Sequence, residues 1–138
     1  MNIRTRIVTF NIRTLLEPSR LTQLCKEFVT YKLTLLGVCE IRWCEPGEFT
    51  TSNSLTILFS GKPSNELPRS SVVGIVLSKQ AKRAFMDWKP RSDRIITVSV
   101  RGHGARNITF VQSYAPTDTS EMSVKETFYN HLDGVLER

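Results

Sequence analysis

Three polar residues stand where apolar stretches of the sequence end, so that each side chain can reach from a sheet edge into a cleft. Asn11 follows IVTF, Glu40 follows LTLLGVC, and Tyr114 follows ITFVQS. A glutamate in this place can hold Mg²⁺, which prefers oxygen ligands and is often bound by one or two carboxylates plus water and substrate phosphate. An amide can orient a carboxylate or touch a phosphate, and a phenol can donate a hydrogen bond to a phosphate oxygen. These residue types suit phosphate chemistry.

Each of these residues also has a purely structural interpretation. Glu40 can be a strand-end acid that pairs with Arg42 or a nearby lysine. Asn11 can be a turn residue bonded to its own backbone, and Tyr114 can pack at the rim of a core. Next to the glutamate, Arg42 and Trp43 can contact a nucleic-acid backbone or stack on a base, although Trp43 can equally serve packing alone. The residue types by themselves leave both interpretations open.

The elements that must position these residues follow from hydrophobic periodicity and turn residues. The sequence predicts a first strand, then a helix from Pro18 to about Lys32, and then a second strand. This order indicates a crossover between parallel strands. Parallel neighbours would bring Asn11 and Glu40 to the same sheet edge. The last two strands read as a hairpin across residues 102–105. The predicted strands are 3–10, 33–39, 54–60, 72–78, 93–101 and 107–115, and the other predicted helices are 79–88 and 121–137, the latter capped by Ser120.

This order of elements predicts an α/β fold. Several strands are apolar on both faces, yet the sequence offers only two or three helices to cover them. A second sheet is therefore the expected cover for the remaining face.

Composition narrows the function classes. The chain has 138 residues and a net charge of +6, which favours an anionic partner such as DNA, although its basic residues are scattered. No apolar run is long enough to span a bilayer and no secretory leader is evident, so we expect an intracellular, non-secreted protein with no membrane partner. Cys25, Cys39 and Cys44 fit buried free thiols better than a disulfide framework or a zinc site, which would need more ligands.

Six ordered segments together resemble the N-terminal part of the endonuclease/exonuclease/phosphatase superfamily. The nearest branch is the apurinic-type endonuclease of LINE-type retrotransposons. Because the segments cover nearly the whole chain in family order, the resemblance is more specific than any single motif. The segments are TFNIRTL (9–15), LLGVCEIRW (35–43), GEFTTSNSLTILFSGK (47–62), VGIVLSK (73–79), SDRIITV (92–98) and NITFVQSYAPT (107–117).

The resemblance implies the first half of a four-layer α/β-β/α sandwich and Mg²⁺-dependent nicking of DNA, with Mn²⁺ as an alternative ion. It implies that Glu40 matches the metal-binding glutamate, Asn11 the asparagine of a WN-type motif, and Tyr114 the tyrosine facing the scissile phosphate. It also implies a nuclear location and a downstream reverse-transcriptase region as partner.

The sequence departs from the family pattern in three places. Phe10 replaces the usual tryptophan, and residues 70–73 replace a glycine-rich approach to a strand. The GDFN-type and SDH-type motifs, which supply the general-base aspartate and the phosphate-binding histidine, do not occur in the 138 residues. We therefore expect residues 1–138 to form a single, C-terminally truncated domain of this type that is inactive by itself. The alternative is a non-catalytic basic remnant that binds nucleic acid or a protein.

Overall fold

Eleven elements make up the part of the chain that the computed structural model describes, which is residues 5–11, 18–43, 45–61, 72–102, 104, 106–116 and 120–137. The strands are β1 (Ile7–Asn11), β2 (Leu35–Cys39), β3 (Gly47–Thr50), β4 (Thr56–Phe59), β5 (Val73–Leu77), β6 (Phe85–Ser92), β7 (Ile95–Arg101) and β8 (Asn107–Ser113). The helices are α1 (Pro18–Thr30), α2 (Lys79–Arg83) and α3 (Met122–Leu136).

The strands form two sheets. A five-stranded sheet has the order β1-β2-β5-β4-β3, and a three-stranded sheet has the order β6-β7-β8. β1 and β2 are parallel and are joined through α1, as the sequence predicted, whereas all other pairs are antiparallel. The predicted hairpin is confirmed as β7 and β8. The described part of the chain thus forms a mixed α/β fold with two sheets.

Both faces of the central strands β2 and β5 of the five-stranded sheet are covered. On one face α1 packs through Leu24, Cys25 and Phe28. On the other face the three-stranded sheet packs, with β5 against β7 and β8, and β2 against β8. Fully burying an aliphatic side chain contributes roughly 1.5–3 kcal/mol, so this double cover stabilises the central strands most. The second sheet expected from the shortage of helices is therefore present.

Three local predictions were wrong. The helix predicted over 79–88 ends at Arg83, and β6 begins at Phe85, because pairing with β7 outweighs the helical spacing of the apolar residues. Pro90 fits there because β6 is an edge strand. β3 was not predicted at all. The cap of α3 is Glu121, with no side-chain cap hydrogen bond, rather than Ser120.

The structure also bears on the predictions about cysteines and membrane-spanning segments. Cys25 and Cys39 are buried free thiols, as expected, whereas Cys44 lies outside the described residues. Among the helices of the described ranges, none is both long and apolar enough to cross a membrane. Of the segment between the predicted strands 54–60 and 72–78, only Gly61 lies within the described ranges.

Candidate active site

The centre of the candidate site is a hydrogen bond between the two sheets. The Tyr114 hydroxyl donates to Oε1 of Glu40 at 2.6 Å, although the two residues are 74 positions apart in the chain. Glu40 directly follows β2, and Tyr114 directly follows β8. Both side chains are half-buried. The structure therefore brings together two of the three residues that the sequence singled out.

The backbone bends sharply after β2, and this bend aims the Glu40 carboxylate out of the strand. Glu40 has φ 59° and Arg42 has φ 68°, a left-handed conformation that costs a residue with a side chain roughly 1–2 kcal/mol. Between them, Ile41 is fully buried and donates its N–H to the carbonyl of Val72 at 3.1 Å. Core packing at Ile41 therefore holds a conformation that Glu40 and Arg42 would not adopt alone.

Arg94 fixes the other partner of the pair. Its Nη1 donates to the Tyr114 carbonyl at 3.0 Å, and its guanidinium carbon lies 5.8 Å from the centre of the Tyr114 ring. The Tyr114 N–H in turn donates to the Arg94 carbonyl at 2.9 Å. A positive charge thus lies beside the phenol. In the sequence Arg94 was only one of many scattered basic residues, and its place in SDRIITV was the sole indication of a role.

Asn11 lies at the same end of the sheet as Glu40. It is the last residue of β1, and its register partner in β2 is Cys39, the residue before Glu40. The expected convergence of Asn11 and Glu40 at one sheet edge is therefore observed at the level of strand register. Unlike Glu40 and Tyr114, Asn11 is exposed.

Arg42 and Trp43 lie in different environments. Arg42 is exposed. The Trp43 ring is half-buried and meets Phe59 edge-on, with centroids 4.8 Å apart, and Phe49 at 6.1 Å. Trp43 therefore packs against the cluster on the α1 side of the sheet, which accounts for its position without a ligand. Nucleic-acid contact by either residue stays a prediction.

The site's electrostatics favour a protonated phenol and a neutral thiol. The hydrogen bond to Glu40, followed by burial, raises the pKa of Tyr114 above its usual 10.0. Burial also raises the pKa of the Cys39 thiol, partly offset by a hydrogen bond from Gln112. Tyr114 is therefore a hydrogen-bond donor throughout the neutral pH range, and Cys39 is not a reactive thiolate.

The oxygen donors of the site fit a hard divalent cation only in part. Glu40 supplies a carboxylate and Asn11 an amide oxygen, both of which suit Mg²⁺. Within the ranges that the structure describes, no group of three or more His, Cys, Asp or Glu side chains could hold a metal ion. Any ion at Glu40 would therefore depend on water and on phosphate oxygens for most of its ligands.

Comparison with known proteins gives two curated relatives and no matching family model. The chain is 29% identical to craniofacial development protein 2 of Bos taurus over 131 residues, covering 95% of this chain and 21% of that protein. It is 28% identical to the protein of the same name from Tragulus javanicus, covering 95% and 22% respectively. The chain thus spans about a fifth of the length of these relatives. The chain is therefore similar to craniofacial development protein 2 over nearly its whole length.

Proposed function

We propose that this chain supplies one side of a Mg²⁺-dependent site for phosphodiester cleavage in DNA, of the kind found in the endonuclease/exonuclease/phosphatase superfamily and its LINE-type retrotransposon branch. The observation that supports it best is the Glu40–Tyr114 hydrogen bond of 2.6 Å. A carboxylate and a phenol that come from different sheets meet at the sheet edge where Asn11 also ends its strand.

In this proposal Glu40 holds the cation. A carboxylate at a strained bend, kept in place by a buried neighbour, has little freedom to turn away from an ion. When bound, the cation would neutralise charge on a phosphate oxygen and on the leaving oxygen. Glu40 would hold the ion most firmly when phosphate oxygens complete its ligands, because the chain supplies few of its own.

Tyr114 and Asn11 would bind the phosphodiester itself. A phenol is protonated at neutral pH, so Tyr114 can donate its proton to a phosphate oxygen once it leaves Glu40. The Arg94 guanidinium next to Tyr114 adds positive charge, which favours an anionic substrate at this edge. Because the 138 residues hold no match to the family's general-base aspartate, the proposal assigns this chain binding and orientation.

Selective broadening of NMR signals by Mn²⁺ tests where a cation binds. We expect weak binding that broadens the signals of Glu40 and Tyr114 before others, and stronger broadening when a short DNA duplex is present. Glu40→Gln keeps the size of the side chain and removes its charge, so the selective broadening should disappear. Glu48→Gln is a matched control, because Glu48 pairs with Lys82 at 2.8 Å on an exposed surface. Broadening that is unchanged in Glu40→Gln would refute the proposed metal ligand.

Plasmid nicking gives the complementary test. The 138 residues contain neither a GDFN nor an SDH motif, and losing a general acid–base alone lowers rates roughly 10²–10⁴-fold. We expect no nicking of supercoiled plasmid by this chain in Mg²⁺. Nicking that is abolished by Glu40→Ala would show that the chain contains a complete site.

The net charge of +6 supports a second candidate, a non-catalytic module that binds nucleic acid through phosphate attraction alone. In that case Mn²⁺ would not bind selectively at Glu40, with or without DNA. The affinity of the chain for DNA would then depend only on ionic strength.

A further inference from the structure

Gln112 is a polar side chain placed between the two sheets. Its Nε2 donates to the hydroxyl of Thr9 at 3.1 Å and to the sulfur of Cys39 at 3.0 Å. The Thr9 hydroxyl is also 3.4 Å from Gln112 Oε1. One side chain of the three-stranded sheet therefore contacts two neighbouring strands of the five-stranded sheet, β1 and β2.

The amide of Gln112 occupies space that only a glycine leaves open. A Cβ added to Gly37 would lie 2.1 Å from Gln112 Oε1 and 2.6 Å from its Cδ. Gly37 is the register partner of Thr9, so the amide sits directly on the β2 backbone next to β1. Any side chain at position 37 would push Gln112 out of this place.

The contacts of Gln112 lie directly behind the candidate site. Because side chains alternate along a strand, residues two apart share a face. Thr9 is two residues before Asn11 on β1, and Gln112 is two residues before Tyr114 on β8. On β2, Cys39 immediately precedes Glu40, and its thiol also lies 3.8 Å from the Ser113 carbonyl. Gln112 thus joins its own strand to β1 and β2, and the ends of these three strands carry Tyr114, Asn11 and Glu40.

We propose that Gln112, seated over Gly37 and bonded to Thr9 and Cys39, is a positioning residue that sets the spacing of the strand ends carrying Asn11, Glu40 and Tyr114. Hydrophobic packing between sheets is non-directional and tolerates small sliding movements. Directional hydrogen bonds from one amide to both β1 and β2 fix the register of the second sheet against the first. The relevance of this spacing to catalysis rests on the proposed function, whereas the spacing itself is measurable without it.

Two variants separate the hydrogen bonds of Gln112 from its volume. Gln112→Leu keeps a side chain of similar size and removes both amide hydrogen bonds. The double variant Gly37→Ala/Gln112→Ala fills the space over β2 with a methyl group and also lacks the amide. Thr109→Val is the matched control. It removes the Thr109 hydroxyl, which lies 3.1 Å from the Ser99 hydroxyl, on the outer face of the strand that carries Gln112.

NMR of protein labelled with ¹³Cζ-tyrosine at neutral pH measures the spacing, together with nuclear Overhauser effects from the Tyr114 ring to the Glu40 γ-CH₂. Tyr114→Phe assigns the signal. We expect Gln112→Leu to weaken or abolish these Overhauser effects and to move the Tyr114 ¹³Cζ signal, and Thr109→Val to leave both unchanged.

A variant that melts at a lower temperature but keeps wild-type Tyr114 signals would overturn the proposal, because Gln112 would then only fill space. If Gln112→Leu does not fold, the double variant gives the same comparison. Failure of Mn²⁺ to bind at Glu40, with Tyr114 signals that still depend on Gln112, would refute the proposed function and leave the positioning role intact.

Discussion

β1 and β2 are neighbouring parallel strands of one sheet, and both are mainly apolar, but their environments are opposite. Every residue of β2 is buried, and every residue of β1 is exposed. Val38 on β2 has no exposed surface, whereas Val8 on β1 is 43% exposed and Phe10 is 53% exposed. Glu40 follows the buried strand and Asn11 ends the exposed one, so we expect the two sides of the candidate site to differ in rigidity.

The cause of the difference is coverage. β2 has strand neighbours on both sides, a helix on one face and the second sheet on the other. β1 is the edge of its sheet within the described chain, and it borders cavities of about 650 Å³ and 200 Å³. We therefore expect β2 to support Glu40 more firmly than β1 supports Asn11.

The largest expected difference between β1 and β2 is in the hydrogen exchange of their backbone amides. We expect the paired amides of β2 to open only with global unfolding and those of β1 to open locally, which corresponds to roughly a 100-fold or larger difference in protection. Native-state exchange followed by NMR measures it. Equal protection of both strands, with β1 protection rising at higher protein concentration, would mean that self-association covers β1.

Matched valine truncations should sharpen the comparison. Val38→Ala removes fully buried methyl groups and leaves a cavity, so we expect a loss of about 2–3 kcal/mol in the free energy of unfolding. Val8→Ala removes the same groups from a half-exposed site and should lose less than about 1 kcal/mol. Urea denaturation measures both. A loss at Val8 as large as that at Val38 would contradict the exposure of β1.

Removing the Tyr114 hydroxyl should have a smaller, pH-dependent effect. Tyr114→Phe deletes the hydrogen bond to Glu40 and should destabilise the protein by about 1 kcal/mol at pH 8. Because the folded state raises the pKa of Tyr114 above 10.0, this stabilisation is complete below the unfolded pKa and is lost as pH rises through the folded one. Urea denaturation from pH 8 to 11 measures the difference. If the difference in free energy of unfolding between wild type and Tyr114→Phe stayed constant over this pH range, the raised pKa of Tyr114 would be contradicted.

Arg6 should contribute least, although it belongs to the weakly held strand segment. Its Nη1 donates to the Tyr31 carbonyl just after α1, at 3.0 Å on an exposed surface. Arg6→Ala should cost about 0.5 kcal/mol and raise the exchange rates of β1 amides more than those of β2. An equal effect on both strands would show that β1 opens only together with the rest of the sheet.

Sequence patterns predicted the parts of the fold that depend on local order. The crossover from β1 through α1 to β2 and the β7–β8 hairpin followed from periodicity and short turns. The opposite burial of β1 and β2 could not be predicted, because both strands are apolar and exposure depends on which neighbours pack beside them. β6 was missed for a similar reason, since its pairing with β7 overrides a helical pattern.

The candidate site was predictable to a different degree. Residue types and strand order placed Asn11 near Glu40, whereas only the family resemblance assigned Tyr114 to the same site. The hydrogen bond between Tyr114 and Glu40 was not predicted, because 74 residues separate them. Gln112 and Gly37 carried no indication in the sequence. Their relation depends on how two sheets stack, and a single sequence does not encode that in any local pattern.

The most direct test of the central claim is the affinity of the chain for DNA with and without Mg²⁺ at constant ionic strength. If Glu40 holds the ion between protein and phosphate, Mg²⁺ and DNA must each strengthen the binding of the other by the same factor. We predict that Mg²⁺ tightens DNA binding by the wild type and has no such effect on Glu40→Gln. Mg²⁺ that weakens binding equally in both proteins, as competition for phosphates alone requires, would contradict the assignment of Glu40 as a metal ligand.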